Sequence, residues 1–454
     1  SQPQHYQFIK DHYPQIYKGI KKAVKKGQWE LQGGMWVEAD CNLISGESMV
    51  RQLIHGKNFF MDEFGVEVDN LWLPDVFGYS AALPQILKKS GVNYFLTQKL
   101  SWSQYNEFPH HTFNWRGVDG SEVLTHFPPE NTYNSELDTE FLIPAQKHFK
   151  EKAYLDEFIS LFGVGNGGGG PKPENIELGY RMSNLESSPK VKFDLARNFF
   201  KRLDKNKESL ETWVGELYLE LHRGTLTTHG LVKKQNRKLE IKLRNVEMFW
   251  SCLDINLYPS KELDALWKKL LINQFHDIIP GSSINLVYKT THQEYDQIHK
   301  GCDDLIKRAS KQLFSNSSDS FVLANTLSDS WKGVVDIPNS FKNYDVLDEK
   351  GNKIPIQLKD DSVIGFVDLP ALSFSSFTKG EKVERGIKTG KNLILENDLV
   401  SLDDFVGTNV SFLNGKMFKA TSVGSSGTAA TNNTFVIKEL DQLKMGGYFV
   451  SKKN

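Results

Sequence analysis

The sequence predicts an α/β protein in which a largely parallel sheet with helices is followed by a helical segment and then by a β-rich segment. Apolar runs of strand length alternate with helical patterns through the first half of the chain. Residues 228–314 carry long, amphipathic, charge-rich helical patterns, and β-branched alternation between Gly, Asp and Asn turns follows residue 320. Because alternating strands and helices are typical of α/β layers and barrels, we expect that class for the first part.

The individual elements follow from apolar spacing and from Gly and Pro signals. Helical spacing covers residues 1–28, and segment 29–40 predicts a strand and a loop. The pattern that follows predicts helices at 46–64 and 81–90 and strands at 68–73, 93–97, 113–115 and 123–127. Amphipathic patterns at 238–250, 260–273 and 288–313 predict two or three packed helices.

Length and composition limit the function classes. A chain of 454 residues is too long for one core, and we expect domains at 1–227, 228–314 and 320–454. The formal net charge of −1 gives no sign of a nucleic-acid partner, and no apolar run reaches the roughly 18 residues of a membrane span. Three scattered cysteines indicate neither a thiolate zinc site nor a disulfide framework. With no leader sequence evident, they favour a cytoplasmic location, and both ends of the chain have the character of truncations.

Asp75 is the first candidate catalytic residue, because it comes directly after a predicted buried strand in Leu71-Trp-Leu-Pro-Asp-Val-Phe-Gly-Tyr-Ser80. Pro74 ends the strand, since it has no N–H for ladder pairing. The carboxyl end of a strand is where α/β folds keep their chemistry. The alternative is a structural Asp75 that caps the following turn.

His276 and Asp277 end a predicted helix just before Pro280 and Gly281. A neutral imidazole is a common metal ligand, and a neighbouring carboxylate can bind polar atoms of a substrate. The alternative is a helix cap or a surface pair.

Polar residues at 216, 220 and 222 alternate with leucines at 217, 219 and 221, so Glu216, Glu220 and His222 are predicted to share one face of a strand. A solvated sheet face is the alternative. If that face points inward, burying these groups is costly, and the face is functional.

Residues 162–171 contain four consecutive glycines. A backbone without side chains can approach a ligand closely, and the run lacks the Lys and Ser/Thr of a P-loop. We expect a loop that faces the substrate, with a flexible connection as the alternative.

Five of these segments occur in the order found in glycoside hydrolase family 38. They are Trp36-Val-Glu-Ala-Asp-Cys-Asn42 with Ser45-Gly-Glu-Ser48, Trp72-Leu-Pro-Asp-Val-Phe-Gly-Tyr-Ser80, the glycine run, Glu220-Leu-His-Arg-Gly-Thr225 and Gln274-Phe-His-Asp277. The chain resembles the α-mannosidases of this family, in their cytosolic/vacuolar and bacterial branch, from residue 1 to about residue 340.

The resemblance implies a family 38-like α/β barrel, then a helical bundle and the start of a β-sandwich. It implies a retaining exo-α-mannosidase that removes terminal α-D-mannose from oligosaccharides, with one zinc ion in the −1 subsite. Asp75 matches the family's nucleophile, which is also a zinc ligand, and His276 matches a second ligand. The family's other two ligands lie in a His-x-Asp motif, which we expect upstream of residue 1, so this chain would supply two ligands of four. Asp40, Asp277 and His222 are the expected substrate-binding residues.

The resemblance identifies the acid/base residue less directly than it identifies the nucleophile. Related sequences often carry an Asp inside the glycine run, where this chain has Asn166, and an amide cannot deliver a proton. Glu220 is the preferred candidate, followed by Glu216, and a pKa raised by a partly apolar site would let either serve.

The resemblance leaves several alternatives open. A mannosylglycerate-type small glycoside is a second substrate, and a carbohydrate-binding remnant without activity is a non-enzymatic alternative. A metal-dependent deacetylase on a similar barrel would need a complete His/Asp ligand set, which the sequence lacks. The expected partner is a mannose-containing oligosaccharide, and self-association into a homo-oligomer is left open.

Overall fold

Residues 1–310 and 311–454 form two units. Within them, the computed structural model describes residues 2–165, 169–315, 317–359 and 362–383, together with the backbone of the strands between 395 and 436. The first unit has two hydrophobic clusters, and the second unit has a separate one around Phe341, Val363 and Phe377.

The first unit contains helices and short strands in alternation. Its elements are α1 (Pro3–His12), α2 (Pro14–Lys25), α3 (Gly46–Phe64), β1 (Asn70–Trp72), α4 (Leu83–Lys89), β2 (Tyr94–Leu96), β3 (Thr112–Arg116), β4 (Glu122–His126), α5 (Thr139–His148), α6 (Pro173–Arg181), α7 (Ala196–Leu203), β5 (Thr212–Val214), α8 (Gly230–Ser251), α9 (Ser260–Ile272) and α10, which runs on to Leu313 from Asn285. Short 3₁₀ helices occur at Lys99–Trp102, Met182–Asn184, Asp204–Ser209, Arg223–Leu226 and Ile255–Leu257.

The sheet of the first unit has the order β1-β2-β4-β3-β5. The pairs β1–β2, β2–β4 and β3–β5 are parallel, and β3–β4 is an antiparallel hairpin that turns at Gly120. The predicted α/β class is confirmed. Within the described part of the chain, β1 and β5 are edges of this sheet, so closure into a barrel stays a prediction.

Helix α3 shows why these sequences form these elements. The Ser45 side chain caps its first turn by accepting from the Ser48 N–H at 3.1 Å, and Gly65 ends the helix in the left-handed region at φ 67°. Leu53 and Phe60 recur at helical spacing and are buried. The helix therefore presents one apolar face to the large cluster and its polar face to solvent.

The helical pattern of residues 1–28 is confirmed by α1 and α2, which divide at Pro14 because proline has no N–H to continue α1. Two other sequence predictions were wrong in detail. Segment 29–40 contains only an isolated bridge between Ala39 and Phe275. Residues 216–222 do not form the predicted strand. Their pairing with the rest of the sheet is one isolated bridge, between the buried Leu217 and Tyr79.

The helical segment is confirmed by α8, α9 and α10, which bury apolar residues such as Leu243, Trp267 and Ile298 in the large cluster. No helix in the described ranges is both long and apolar enough to cross a bilayer. The boundaries expected at 227 and 320 stay predictions.

The second unit is built from strands, as predicted. They are β6 (Ser320–Asn325), β7 (Trp331–Ile337), β8 (Tyr344–Leu347), β9 (Ile356–Lys359), β10 (Ser362–Leu369), β11 (Ser373–Lys382), β12 (Leu395–Asn397), β13 (Val400–Leu402), β14 (Gly407–Leu413), β15 (Met417–Ser422) and β16 (Thr431–Val436), with a short 3₁₀ helix at Asn339–Phe341. The antiparallel sheets β7-β10-β9 and β6-β11-β8 supply the core of this unit. A sandwich arrangement stays a prediction.

Gly56 tests the packing of α3 against the segment that leads to Glu38 and Asp40. A Cβ at Gly56 would lie 2.3 Å from the Gly34 carbonyl oxygen and 2.8 Å from the Trp36 nitrogen. We expect Gly56→Ala to lower the free energy of unfolding by about 1–3 kcal/mol, because backbone cannot yield to the added methyl group. Urea unfolding followed by tryptophan fluorescence measures it.

The matched control is Gly19→Ala in α2, where a Cβ meets nothing within 4 Å. Alanine favours a helix over glycine, so this variant should be as stable as the parent or more stable by up to about 1 kcal/mol. Equal effects of the two substitutions would contradict the packing argument.

Candidate active site

The site lies at the carboxyl ends of three neighbouring parallel strands. Asp75 follows β1, Lys99 follows β2, and Tyr133 lies seven residues beyond the end of β4 at His126. Because β1, β2 and β4 run parallel and side by side, these segments emerge at one edge of the sheet. The strand-end prediction for Asp75 is therefore confirmed as to place.

Lys99 forms a short ion pair with Asp75. The Nζ atom lies 2.6 Å from Asp75 Oδ1, and the lysine side chain is only 4% exposed. The same ammonium lies 3.8 Å from the ring centroid of Trp102 and 5.1 Å from that of Phe77. The aromatic faces and the carboxylate together replace the water that the buried ammonium loses.

The turn that carries Asp75 is fixed by the buried hydroxyl of Tyr79. The Tyr79 hydroxyl donates to the Leu73 carbonyl at 2.8 Å and lies 2.6 Å from Thr97 Oγ1. Gly78 adopts φ 105°, which favours glycine, and a Cβ there would come within 3.3 Å of the Leu217 carbonyl. The chain after β1 is thus locked to the chain after β2.

His276 faces Asp75 through Nε2. Its Nδ1 lies 2.9 Å from the Glu38 carbonyl oxygen, which can only accept, so Nδ1 carries a proton. Nε2 lies 3.9 Å from Asp75 Oδ2 and 3.9 Å from Asp277 Oδ2. The ring is therefore fixed with Nε2 towards two carboxylates.

Two further acidic groups lie close to the His276 ring. The Glu38 carboxylate lies 4.0 Å from His276 Nδ1, and burial raises the pKa of Glu38. Asp277 is more exposed and accepts from the Ser282 hydroxyl at 2.8 Å through Oδ1. Asp75, His276 and Asp277, which the sequence analysis selected separately, therefore lie together in space.

Asp40 lies deeper. Its Oδ1 accepts from the Asn42 N–H at 2.9 Å and the Leu43 N–H at 2.6 Å, and the residue is 2% exposed. Burial raises the pKa of Asp40, and these two backbone bonds oppose the rise. It caps a turn of the segment that positions Glu38, and its expected contact with a sugar stays a prediction.

The pKa of Glu220 is lowered, whereas the sequence analysis expected a raised pKa. Its carboxylate accepts from the Asn106 side chain at 2.5 Å and from the Asn106 and Tyr105 N–H groups at 2.7 and 3.2 Å. These bonds favour the ionised form and lower the pKa of Glu220. The expectation of a partly apolar environment was wrong, because residues 216–222 leave the sheet and Glu220 meets polar loop atoms instead.

His222 and Glu216 complete the predicted set. His222 has left-handed backbone at φ 52°, and its ring centroid lies 4.8 Å from that of Phe77. Burial lowers the pKa of His222. Glu216 is exposed. The predicted common strand face for Glu216, Glu220 and His222 was wrong.

Gly165, in the segment that leads into the four glycines, packs against the loop after β4. The Gly165 N–H donates to Asn134 Oδ1 at 2.7 Å, and a Cβ on Gly165 would lie 2.2 Å from the Tyr133 ring. Burial raises the pKa of Tyr133 to about 12, and the negative charge of the nearby Asp75 carboxylate acts in the same direction. Asn166 lies outside the described residues.

Lys99, Tyr133 and Glu38 were missed by the sequence analysis. Lys99 lies in Gln98-Lys-Leu-Ser-Trp102, directly after a predicted strand, so the rule that selected Asp75 would have selected it too. Glu38 lies in a segment that was singled out only for Asp40. No local signal marks Tyr133, because its approach to Asp75 depends on the loop after β4.

Models of two consecutive domains match the chain. The "Glycosyl hydrolases family 38 N-terminal domain" covers residues 1–216, and the "Alpha mannosidase middle domain" covers residues 220–313. The chain belongs to glycoside hydrolase family 38. The family resemblance of the five sequence segments is thereby confirmed.

Individual relatives agree with this assignment. The chain is 43% identical to Alpha-mannosidase 2C1 of Homo sapiens over 340 residues, which are 74% of this chain and 32% of the relative. It is 38% identical to Alpha-mannosidase of Saccharomyces cerevisiae over 348 residues, covering 72% and 32%. The chain thus spans about a third of the length of these curated relatives.

A solved structure supports the family 38 fold. An alpha-mannosidase from Enterococcus faecalis superposes with a TM-score of 0.63 at 18% identity, over 92% of this chain and 54% of that one. This similarity concerns the fold alone.

The family implies a zinc ion, and the donors of the site fit it in kind. A carboxylate oxygen and an imidazole nitrogen are ordinary zinc ligands, and Asp75 and His276, whose Oδ2 and Nε2 lie 3.9 Å apart, would be the residues that hold the ion. In number they fall short. Among the residues that the structure describes, no three His, Cys, Asp or Glu side chains form a group that could hold a metal.

Glu130 lies four residues beyond the end of β4. Its carboxyl makes the stability of the fold depend on pH. Burial raises its pKa to about 7, although the Ser160 and Ser135 hydroxyls donate to it at 2.7 and 3.0 Å. A carboxyl whose pKa is raised on folding stabilises the fold fully below its ordinary pKa, near 4.5, and loses that contribution as the pH rises through about 7.

We therefore expect Glu130→Gln to match the parent in stability near pH 4 and to exceed it above pH 7 by on the order of 1–3 kcal/mol. Urea unfolding at a series of pH values measures the difference. A difference that does not change between these pH values would contradict the argument.

Proposed function

We propose that this chain forms the nucleophile side of a zinc-dependent retaining exo-α-mannosidase acting on terminal α-D-mannose of oligosaccharides. The observation that supports this most is the approach of Asp75 Oδ2 and His276 Nε2 to 3.9 Å at the carboxyl end of the sheet. Family membership and relatives named as alpha-mannosidases support the reaction class.

Asp75 would act as the nucleophile. Its carboxylate is held in place by Lys99 and would attack the anomeric carbon of the terminal sugar. In a retaining enzyme this attack gives a covalent glycosyl-enzyme, which water then hydrolyses. Lys99 fixes the carboxylate at 2.6 Å.

Asp75 and His276 would hold the zinc ion together with ligands that the described residues do not supply. When bound, the ion would hold neighbouring hydroxyls of the mannose ring and draw electron density from them. His276 is oriented for this by the bond from Nδ1 to Glu38, since an imidazole whose second nitrogen is anchored presents the first in one direction. Asp277, the more exposed carboxylate, would accept from a sugar hydroxyl.

A carbohydrate-binding protein without turnover is the second candidate. It is favoured by two observations on the described residues: they provide an incomplete donor set, and the pKa of Glu220 is lowered where a general acid needs a raised one. A mannosylglycerate-type substrate stays an alternative for the enzyme, and no described contact favours it.

Substitution of Asp75 and His276 tests the proposal. Asp75→Ala should lower the release of 4-nitrophenol from the α-mannoside by about 1,000-fold or more, because the attacking atom is lost. His276→Ala should weaken zinc binding by about 100-fold, measured by metal analysis after dialysis against buffered zinc. The exposed His12 provides the control His12→Ala, which should retain both properties.

Parent-level hydrolysis by Asp75→Ala would rule out the nucleophile role. Binding of mannose by the parent chain without any turnover would instead select the second candidate. Zinc retention equal to the parent in His276→Ala would remove the ligand role.

Glu220→Gln tests the acid. If Glu220 protonates the leaving oxygen, kcat/KM should fall by about 100-fold or more for an alkyl α-mannoside and by much less for the 4-nitrophenyl compound, whose leaving group needs little protonation. Equal losses on both substrates would assign the acid role to another residue.

A further inference from the structure

Helix α8 carries a polar stripe on a side that is largely buried. Lys233, Asn236 and Glu240 recur at spacings of three and four residues, so they share one side of the helix. Asn236 is 1% exposed and Glu240 is 3% exposed, and Lys233 is partly buried. We call these three residues the polar stripe of α8. Buried amide and carboxylate groups are costly unless they are hydrogen-bonded, so the stripe needs partners inside the protein.

Asn236 and Glu240 bind the side chain of Gln274, two residues before His276. Gln274 is fully buried, and its Nε2 donates to Asn236 Oδ1 at 3.0 Å and to Glu240 Oε1 at 3.3 Å. The same Glu240 oxygen accepts from the Ser48 hydroxyl at 2.7 Å, in the first turn of α3. Gln274 is therefore held by α8 through a carboxylate that α3 also fixes.

Lys233 binds the chain on the other side of His276. Its ammonium donates to the Ile279 carbonyl at 2.8 Å, to the Pro280 carbonyl at 3.2 Å and to the Thr228 carbonyl. An ammonium has three N–H groups, and three carbonyls here take the place of water. The lysine thus joins the end of the turn after His276 to the start of α8.

The stretch from residue 274 to residue 280 is consequently attached at both ends to one helix. That helix is 22 residues long and buries Leu239, Leu243 and Val246 in the large cluster, so it is a rigid support. Between the two attachments, the His276 N–H donates to the Glu38 carbonyl at 3.1 Å. A ligand side chain keeps one direction only when the groups behind it are themselves fixed.

We propose that the polar stripe of α8 positions the turn that carries His276 and Asp277, and thereby sets how His276 Nε2 faces Asp75. This inference rests on the proposed function, in which His276 and Asp75 hold the zinc ion. The stripe acts through Gln274 and through main-chain carbonyls, so its members are positioning residues. The helical segment then takes part in building the site.

Two measurements on the full 454-residue chain test this proposal. One is the zinc affinity, from competition with a chromophoric chelator. The other is amide hydrogen exchange of peptides from residues 274–281, followed by mass spectrometry well below the unfolding midpoint of every variant. Lys233→Met and Glu240→Ala should each weaken zinc binding by about 10-fold and speed exchange in this segment by about 10-fold. Peptides from residues 112–126 should exchange as in the parent.

Lys234→Met is the matched control, because Lys234 is exposed on the same helix. It should keep the zinc affinity and the exchange rates of the parent. Glu240→Gln should recover most of the zinc affinity that Glu240→Ala loses, because an amide oxygen can still accept from Ser48 and Gln274.

Parent-like exchange of residues 274–281 in both Lys233→Met and Glu240→Ala would overturn the positioning role. Faster exchange with an unchanged zinc affinity would overturn it too, because the stripe would then only stabilise the fold. Absence of zinc binding by the parent would overturn the zinc site of the proposed function, whereas faster exchange in the two variants would still support the stripe as the element that positions the turn.

Discussion

The contact on which the site depends is the pairing of a buried ammonium with the carboxylate after β1. Removing an ammonium and a carboxylate from water costs several kcal/mol for each ion, and good geometry is needed to repay this. Lys99 is 4% exposed, so its charge is tolerated only because Asp75 lies 2.6 Å away and aromatic faces cover the rest. The parallel pairing of β1 with β2 brings these two residues together.

The imidazole of His276 is oriented from the other side of the same carboxylate. The Glu38 carbonyl accepts from the backbone N–H of His276 at 3.1 Å and from Nδ1 at 2.9 Å. A single acceptor therefore fixes both the backbone and the ring orientation of His276. The segment around Glu38 is held in turn by Asp40, whose backbone N–H donates to the Gln274 carbonyl at 2.9 Å. Two segments more than 230 residues apart thus fix one nitrogen opposite Asp75.

The sequence could predict what local chemistry decides. Pro74 and an apolar run were enough to put Asp75 at a strand end, and helical spacing was enough for α3 and for α8 to α10. The failure at Glu220 has a physical reason: alternating leucines also bury well in an extended segment without a ladder, as Leu217 and Leu219 do. The environment of Glu220 is set by Tyr105 and Asn106, more than 110 residues away, and no local pattern encodes that meeting.

The charged side chains around His276 are mostly acidic. Asp75 and Asp277 face Nε2 at 3.9 Å, and Glu38 lies 4.0 Å from Nδ1. Lys99 neutralises one of these groups, and burial raises the pKa of another, which favours its uncharged form. What remains is a pocket with negative charge from Asp277 beside the imidazole. Such a pocket stabilises a cation held between the donors, and it equally stabilises the positive charge that spreads over a sugar ring as its glycosidic bond breaks. The arrangement that makes these residues costly to bury is therefore the same one that the proposed glycoside cleavage requires.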